Sequence, residues 1–503
     1  MRAAPVVVVL WAFIVGLAAP AGAAPAWTRI DSPNFIVVSD AGDRTARGVA
    51  WQFEQVRAVL QRLWPWARLD TGRPILVYAV KGDAGVRSLA PGYWEKKGDI
   101  RPASIFLSAP DRHYVVVRTD VDLRQQEVNP YRSAYWSYVG IVLDATFGRR
   151  LPPWLSRGLA EVMSNTIVRT DDLTVGQIVP WNLERLQRSR MTFAQLTTAT
   201  GESDYLATAL GMQLFDASAW ALVHYLMLGE RGANLPRFNK AATEILRGAD
   251  VQAAVAGAFG GLASVTVGYD RYASQPSFMY QRIDADVDVK REAFTGVVMG
   301  AGEAAAMRAL YLARSRRPVE ATALLAEARA ATPDLGLACE VEGILADDAG
   351  KPDEARAAYA RASELGGAGF FAEYRLAWLL WPGPADPDRA GVFARMVTIL
   401  ERSIAANPSY AWSRSLLARA LLQLDRVADA APHAQRAVVL APAEASMRLT
   451  AARVMWAQDR RSDAKLEAER ALALAKTDGE RSEVQEFLAF VGRSAGARAP
   501  KQE

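Results

Sequence analysis

The sequence predicts two joined folds: an α+β N-terminal half and, from about residue 302, an all-α superhelix of paired helices. Three observations carry this reading. Short β-branched runs bounded by Gly, Asp or Pro, NFIVVSD (34–40), PILVYAV (74–80) and HYVVVRT (113–119), read as strands. Apolar residues at helical spacing alternate with those strands up to about residue 285. Beyond residue 302 alanines recur with a fixed 34-residue offset, the mark of a repeat architecture.

Taken in order, the chain opens on an export-signal pattern over residues 1–23. Arg2 supplies the positive start, Val6 to Leu17 the short apolar run, and Ala21-Gly22-Ala23 the small-residue cleavage site. The run falls short of the ~20 residues a spanning helix needs, so cleavage leaves no stable membrane span. Export follows, to the periplasm or beyond. The only cysteine, Cys339, excludes an intramolecular disulfide and reads as a small buried side chain. A formal charge of +4 over 503 residues, with no basic stripe, gives no reason to expect nucleic acid.

The first half then reads as one unit from 27 to 285. TARGVAWQFEQVRAVLQRLWPW (45–66) is an amphipathic helix that stops near Pro65. SAYWSYVGIVLDATF and WLSRGLAEVMSNTI are two helices separated by GRRLPP, and LFDASAWALVHYLML (214–228) is apolar enough to be a buried helix. Asp284, Asp286 and Asp288 alternate in RIDADVDVK, but Val289 and Thr295 stand where a calcium loop needs Gly and Glu. An exposed strand edge or a linker, over 286–301, fits better.

Ala321 and Ala328, Ala355 and Ala362, Ala430 and Ala437, and Ala464 and Ala471 are each seven residues apart. The first two pairs are offset by 34, as are the last two. Pro333 and Pro442 fall at matching linker positions, and Gly343 sits where two helices touch. This pattern resembles tetratricopeptide repeats. Five fit between 302 and 478, starting near 302, 336, 370, 411 and 445, the third lengthened by WPGPADPDRAG. A capping helix follows at 479–495 and a disordered tail at 496–503.

Five landmarks of the first half resemble the peptidase MA-like domains, a gluzincin-type family: SPNFIVVSD, FEQVR (53–57), FGRRLPPWLSRGLAE (147–161), VGQIVP (175–180) and SAWALVHYL (218–226). The resemblance implies a zincin-like fold with HExxH on the helix before FGR-LP-W and a third ligand, Glu, on the next. On this sequence Trp136 stands at the first His, Ser137 at the catalytic Glu, Gly140 at the second His and Arg157 at the third ligand. Tyr138 and Glu161 keep the family's residue types. No metal, and no other cofactor, is expected. The chain's three histidines, His113, His224 and His433, lie off this helix and read as packed or surface residues. Trp136 is expected to fill the vacated space beside Gly140, and Arg157 either to pair with Glu161 one turn on or to point to solvent.

Two functions compete. One is a non-catalytic scaffold, a pseudopeptidase joined to repeats that hold a protein or peptide. The resemblance implies a groove lined by the first helix of each pair, here Phe371, Tyr374, Trp378, Trp381, Trp412, Arg419, Arg453 and Trp456. Several of these equally fit a core. The other is a hydrolase with a non-standard site, in which Ser137, or Asp144 with Glu161, would act; no G-x-S-x-G elbow surrounds Ser137. The old cleft could also keep peptide binding without cleavage.

Overall fold

A computed structural model describes residues 26–496, except 96–97, 99–100, 122–126, 149–150, 170–171, 285–289 and 367–368. The expected signal segment, Asp286, Asp288 and most of the tail lie outside the described residues.

The described strands are β1 (Thr28–Asp31), β2 (Phe35–Ser39), β3 (Ile75–Val80), β4 (Ser104–Ser108), β5 (His113–Arg118), β6 (Ile167–Val168), β7 (Asp172–Val175), β8 (Gln281–Asp284) and β9 (Thr295–Val298). Six of them form a mixed sheet in the order β4-β5-β3-β2-β1-β9, with β2, β3 and β5 parallel. β6, β7 and β8 form a small antiparallel sheet. The helices of the first half are α1 (Asp43–Leu63), α2 (Gly82–Leu89), α3 (Arg132–Phe147), α4 (Pro153–Ser164), α5 (Pro180–Arg188), α6 (Phe193–Thr198), α7 (Asp204–Ala207), α8 (Ala209–Leu228), α9 (Leu235–Leu246), α10 (Val251–Phe259) and α11 (Leu262–Ala273). The first half is thus α+β. The second expected helix stops earlier than its apolar pattern, since Asn165 ends it and Ile167 enters β6.

The second half is a tetratricopeptide-type superhelix. Its pairs are α12 (Ala301–Arg314) with α13 (Pro318–Ala331), α14 (Gly336–Asp348) with α15 (Pro352–Glu364), α16 (Phe370–Leu379) with α17 (Arg389–Ala406), α18 (Ala411–Gln423) with α19 (Val427–Leu440), and α20 (Ala445–Ala457) with α21 (Arg461–Leu474). α22 (Asp478–Gly496) closes the stack. The turn inside four of these pairs uses a left-handed residue at one repeat position: Arg316, Gly350, Asp425 and Asp459, with φ of 60°, 70°, 56° and 60°. Gly takes that conformation freely and Asp tolerates it, whereas Arg316 is held there by the turn. At Gly343 a Cβ would sit 2.5 Å from the Tyr359 ring, so the paired helices meet in near contact only because no side chain intervenes.

β3 explains how the halves join. All six of its residues are buried, and its run is continuously apolar because both faces of the sheet are covered. Val77 and Ala79, with Val115 and Val117 of β5, pack against α1 and α3. Leu76, Tyr78 and Val80, with Tyr114 and Val116, share one core with Leu310, Tyr311, Phe371 and Tyr374 of the repeats. Tyr78 donates its hydroxyl to the Met307 carbonyl at 2.5 Å. The stretch read as a linker is not free either: β9 lies within 286–301 and pairs with β1, extending the sheet by a strand.

Candidate functional site

Helices α3 and α4 lie side by side, and α4 packs onto α8 through Gly158, where a Cβ would fall 2.5 Å from Val223 and 2.6 Å from the Ala219 carbonyl oxygen. This close approach brings Asp216 of α8 to Arg157. Nε donates to Oδ1 at 2.6 Å and Nη2 to Oδ2 at 2.7 Å, while the guanidinium lies 5.4 Å over the Trp136 ring. The expected Arg157–Glu161 pair is therefore corrected. A planar two-bond partner on the facing helix wins over a neighbour one turn away. Glu161 is itself taken, by Arg132 of α3 and by the Asn182 amide at 3.3 Å. Burial pushes its carboxyl up from the ordinary glutamate value, against the pull of Arg132. The Asp216 hydrogen bonds push the Arg157 guanidinium up.

Gly140 does not seat Trp136. A Cβ there would meet nothing within 4 Å, so this face of α3 opens to space rather than closing on the ring. Ser137 is half-buried and makes no side-chain hydrogen bond among the described residues. Asp144 is exposed near the far end of α3. Twelve residues, roughly 18 Å of helix, separate it from Arg132, the residue that holds Glu161. Asp144 and Glu161 do not form a catalytic pair. Among the described residues no three His, Cys, Asp or Glu side chains converge as a metal site.

The histidines stand elsewhere. His224 is clamped by the Gly176 carbonyl at Nε2, 2.9 Å away, and the Tyr272 hydroxyl at Nδ1, 2.8 Å away. It therefore donates from Nε2 and accepts at Nδ1. His113 is wholly buried and stacks on Phe106 at 5.8 Å. Burial lowers both to about 3, keeping them neutral. Cys339 is buried, with Arg329 at 3.6 Å from its sulfur.

The expected groove row of the repeats divides in two. The turn between β4 and β5 sits on its first part. Asp111, 0% exposed, pairs with Arg314 at 2.9 Å and with Arg112 at 2.9 Å, and accepts from the Tyr114 hydroxyl at 2.5 Å. Arg112 also reaches Glu340 at 3.1 Å, and Tyr410 donates to the Pro110 carbonyl at 3.3 Å. Phe371 and Tyr374 are consequently 4% and 8% exposed, closed over by the chain's own sheet. As groove residues for a second molecule they are corrected to core.

The second part keeps more exposure, at Trp378 above all. Trp378, Arg419 and Arg453 occupy one repeat position in α16, α18 and α20. Trp378 is 44% exposed, and Arg419 lies 6.0 Å over its ring and 4.8 Å over that of Trp381. Arg453 pairs with Glu483 of α22 at 2.9 Å. Trp381 rests edge-on against Phe393, 5.1 Å away. Trp412 and Trp456 do not join this row. Trp412 packs on Tyr410 in the crevice beside Asp144, and Trp456 on Phe490 of the terminal helix. Sequence reasoning missed Asp111, Arg112, Glu340 and Asp216, whose pairs with Arg314, with each other and with Arg157 span 59 to 228 residues and leave no local pattern.

The chain matches no family model, and no curated protein matches it. Among solved structures it is similar to YrrB, described as a TPR protein with an unusual peptide-binding site, at 14% identity. That likeness covers 36% of this chain and 91% of that one, with a TM-score of 0.30. A TPR protein from Thermus thermophilus is 16% identical, covering 38% and 98% with a TM-score of 0.28. PilF of Pseudomonas aeruginosa is 14% identical, covering 40% and 93% with a TM-score of 0.30. Scores of this size carry no argument; the repeat fold rests on the paired helices and their recurring turns. Among the described residues no single helix is long and apolar enough to cross a membrane.

Proposed function

We propose that this chain is an exported, non-catalytic scaffold that binds a protein or peptide through its repeats, with a pseudopeptidase as its N-terminal half. The observation that carries it is the open row of Trp378, Trp381, Arg419 and Arg453, aromatic and Arg side chains on the concave face that the chain's own sheet leaves bare. Export rests on the pattern at 1–23, and the pseudopeptidase reading on the landmarks around α3 and α4. On that reading, the Arg157–Asp216 pair would stand in for the cation. A hydrolase finds no support here, since neither His113 nor His224 is hydrogen-bonded to Ser137.

The test is an array of synthetic peptides probed with the chain from residue 24 onward. A defined set of binders, lost together in Trp378→Ala and Trp381→Ala, supports the scaffold. An array with no binders, or binders indifferent to both substitutions, overturns it.

A further inference from the structure

Arginines that lie over aromatic rings recur in this protein, and four of them near the sheet and the α3–α4 helices are completed in one way. A guanidinium stacks through its faces and donates through its edges, so a stacked arginine still has five N–H groups to satisfy. Arg112 lies over Phe370 and reaches Glu340; Arg314 lies over Phe371 and pairs with Asp111. Arg157 lies over Trp136 and pairs with Asp216, and Arg132 lies over Trp181 and pairs with Glu161. At each a carboxylate closes the edge.

Arg389, over Phe393, closes its edge on the Gly383 carbonyl and the Gln423 amide oxygen instead. Arg419 departs from both patterns. It stacks against two indole rings rather than one, yet no ion pair or side-chain hydrogen bond links it to the described residues. It is half-buried on α18, between Trp378 of the preceding repeat and Arg453 of the next. Burial first, and then the neighbouring Arg453, pull its guanidinium down from the usual arginine value. Both effects mark a positive charge without its counter-charge. Glu483, whose charge also acts on it, is already engaged by Arg453. The edge of Arg419 and the open face of Trp378 thus form a site with one kind of complement missing.

We propose that the open row takes an acidic peptide segment in which a side-chain carboxylate closes the edge of Arg419 and a neighbouring apolar or aromatic side chain covers Trp378. The groove already holds such a ligand: the β4–β5 turn places the Asp111 carboxylate against Arg314 over the Phe371 ring. A partner segment would repeat that contact at Arg419, three repeats on from Arg314, against Trp378 on the same helix as Phe371. A charge-assisted pair formed in a half-buried site is worth more than one on open surface, so the acid supplies selectivity as well as affinity.

This inference rests on the scaffold reading, and the experiment separates the two. The chain from residue 24 onward is titrated, by fluorescence anisotropy, with a labelled nonapeptide of alternating aspartate and tyrosine and with its asparagine counterpart. The acidic peptide is expected to bind about tenfold tighter than the amide form, with the margin shrinking between about 50 mM and about 300 mM salt. Arg419→Ala is expected to remove the margin, and Arg419→Lys to keep part of it. Circular dichroism checks that each variant folds, and Arg419→Gln serves if the alanine variant does not. Equal affinity for the two peptides, or a margin that survives Arg419→Ala, overturns the acidic-segment proposal. If both peptides bind equally and Trp378→Ala abolishes both, the scaffold stands without it. If neither peptide binds and the array is empty, both fall.

Discussion

Arg157 and Asp216 face each other edge to edge, with two bonds of 2.6 and 2.7 Å joining helices whose sequences lie 59 residues apart. The pair is partly buried, its side chains 24% and 17% exposed, so removing one partner strands the other near an indole ring. Arg157→Leu and Asp216→Leu should each lower the unfolding free energy by about 2 kcal/mol. The double variant Arg157→Leu/Asp216→Leu should lose clearly less than the sum, because it leaves no orphaned charge. Urea unfolding of the four proteins decides it; strict additivity would show that the two groups do not act as a pair.

Acid should weaken the fold earlier than its carboxylates alone require. His113 and His224 are held to about 3 by burial, whereas an unfolded histidine titrates near 6.5. The unfolded chain therefore takes up protons that the folded chain refuses as pH falls below about 6.5, and stability drops from there toward about 3. Each histidine contributes about 1.4 kcal/mol per pH unit in that window. Glu161 works in the opposite sense, since burial raises its carboxyl and protonating it relieves a penalty. Unfolding measured at pH 7 and pH 5.5 should show a marked loss in the wild type and a shallower slope in His224→Gln. A flat profile would mean that water or another proton acceptor reaches these rings.

The strands β2, β3 and β5 and the helices α1, α3, α8 and α12 to α22 were legible because period and bounding residues decide them locally. Strands β1, β4 and β9 were not. Ser104–Ser108 and Thr295–Val298 carry little β-branched alternation and are strands because neighbours offer them a ladder. That Trp378 and Arg419 share one repeat position was readable, since it follows from the repeat register. That Phe371 and Tyr374 are covered was not, because burial there depends on a turn some 260 residues earlier. The continuous apolar run of PILVYAV held the missing clue: a sheet apolar on both faces needs a second cover, and the repeats provide it.

Asp111 is the point at which the halves hold each other. Arg314 and Arg112 outweigh the burial that would raise its carboxyl, and its value falls below the ordinary aspartate range. Asp111→Asn leaves two arginines facing a neutral amide in a closed site, at a cost of about 3 kcal/mol. Hydrogen exchange should then quicken in β5 and at the start of α16 together, while α20 to α22 keep their protection. Tyr410→Phe, which removes only the 3.3 Å bond to Pro110, should leave exchange nearly unchanged. Exchange that stays slow in Asp111→Asn would place the clasp in the apolar contacts of Tyr78, Tyr114 and Tyr311 instead.

The pseudopeptidase reading makes a constructive prediction. If α3 and α4 keep the relation that the zinc-binding family requires, three substitutions should rebuild a ligand set: Trp136→His, Gly140→His and Arg157→Glu. The first two positions are one turn apart on one face of α3, and the third faces them from α4, where its guanidinium now overlies the Trp136 ring. Gly140 opens on empty space, so an imidazole can be admitted without moving a neighbour. Asp216→Asn is added so that a stranded carboxylate neither repels the new glutamate nor competes for the ion. Elemental analysis after dialysis against excess zinc should find near-stoichiometric metal in this variant and far less in the parent chain. A variant that folds, by circular dichroism, yet retains no more zinc than the parent would break the link between these two helices and the peptidase layout. The repeats and their open row would be untouched by that result, since they depend on neither helix.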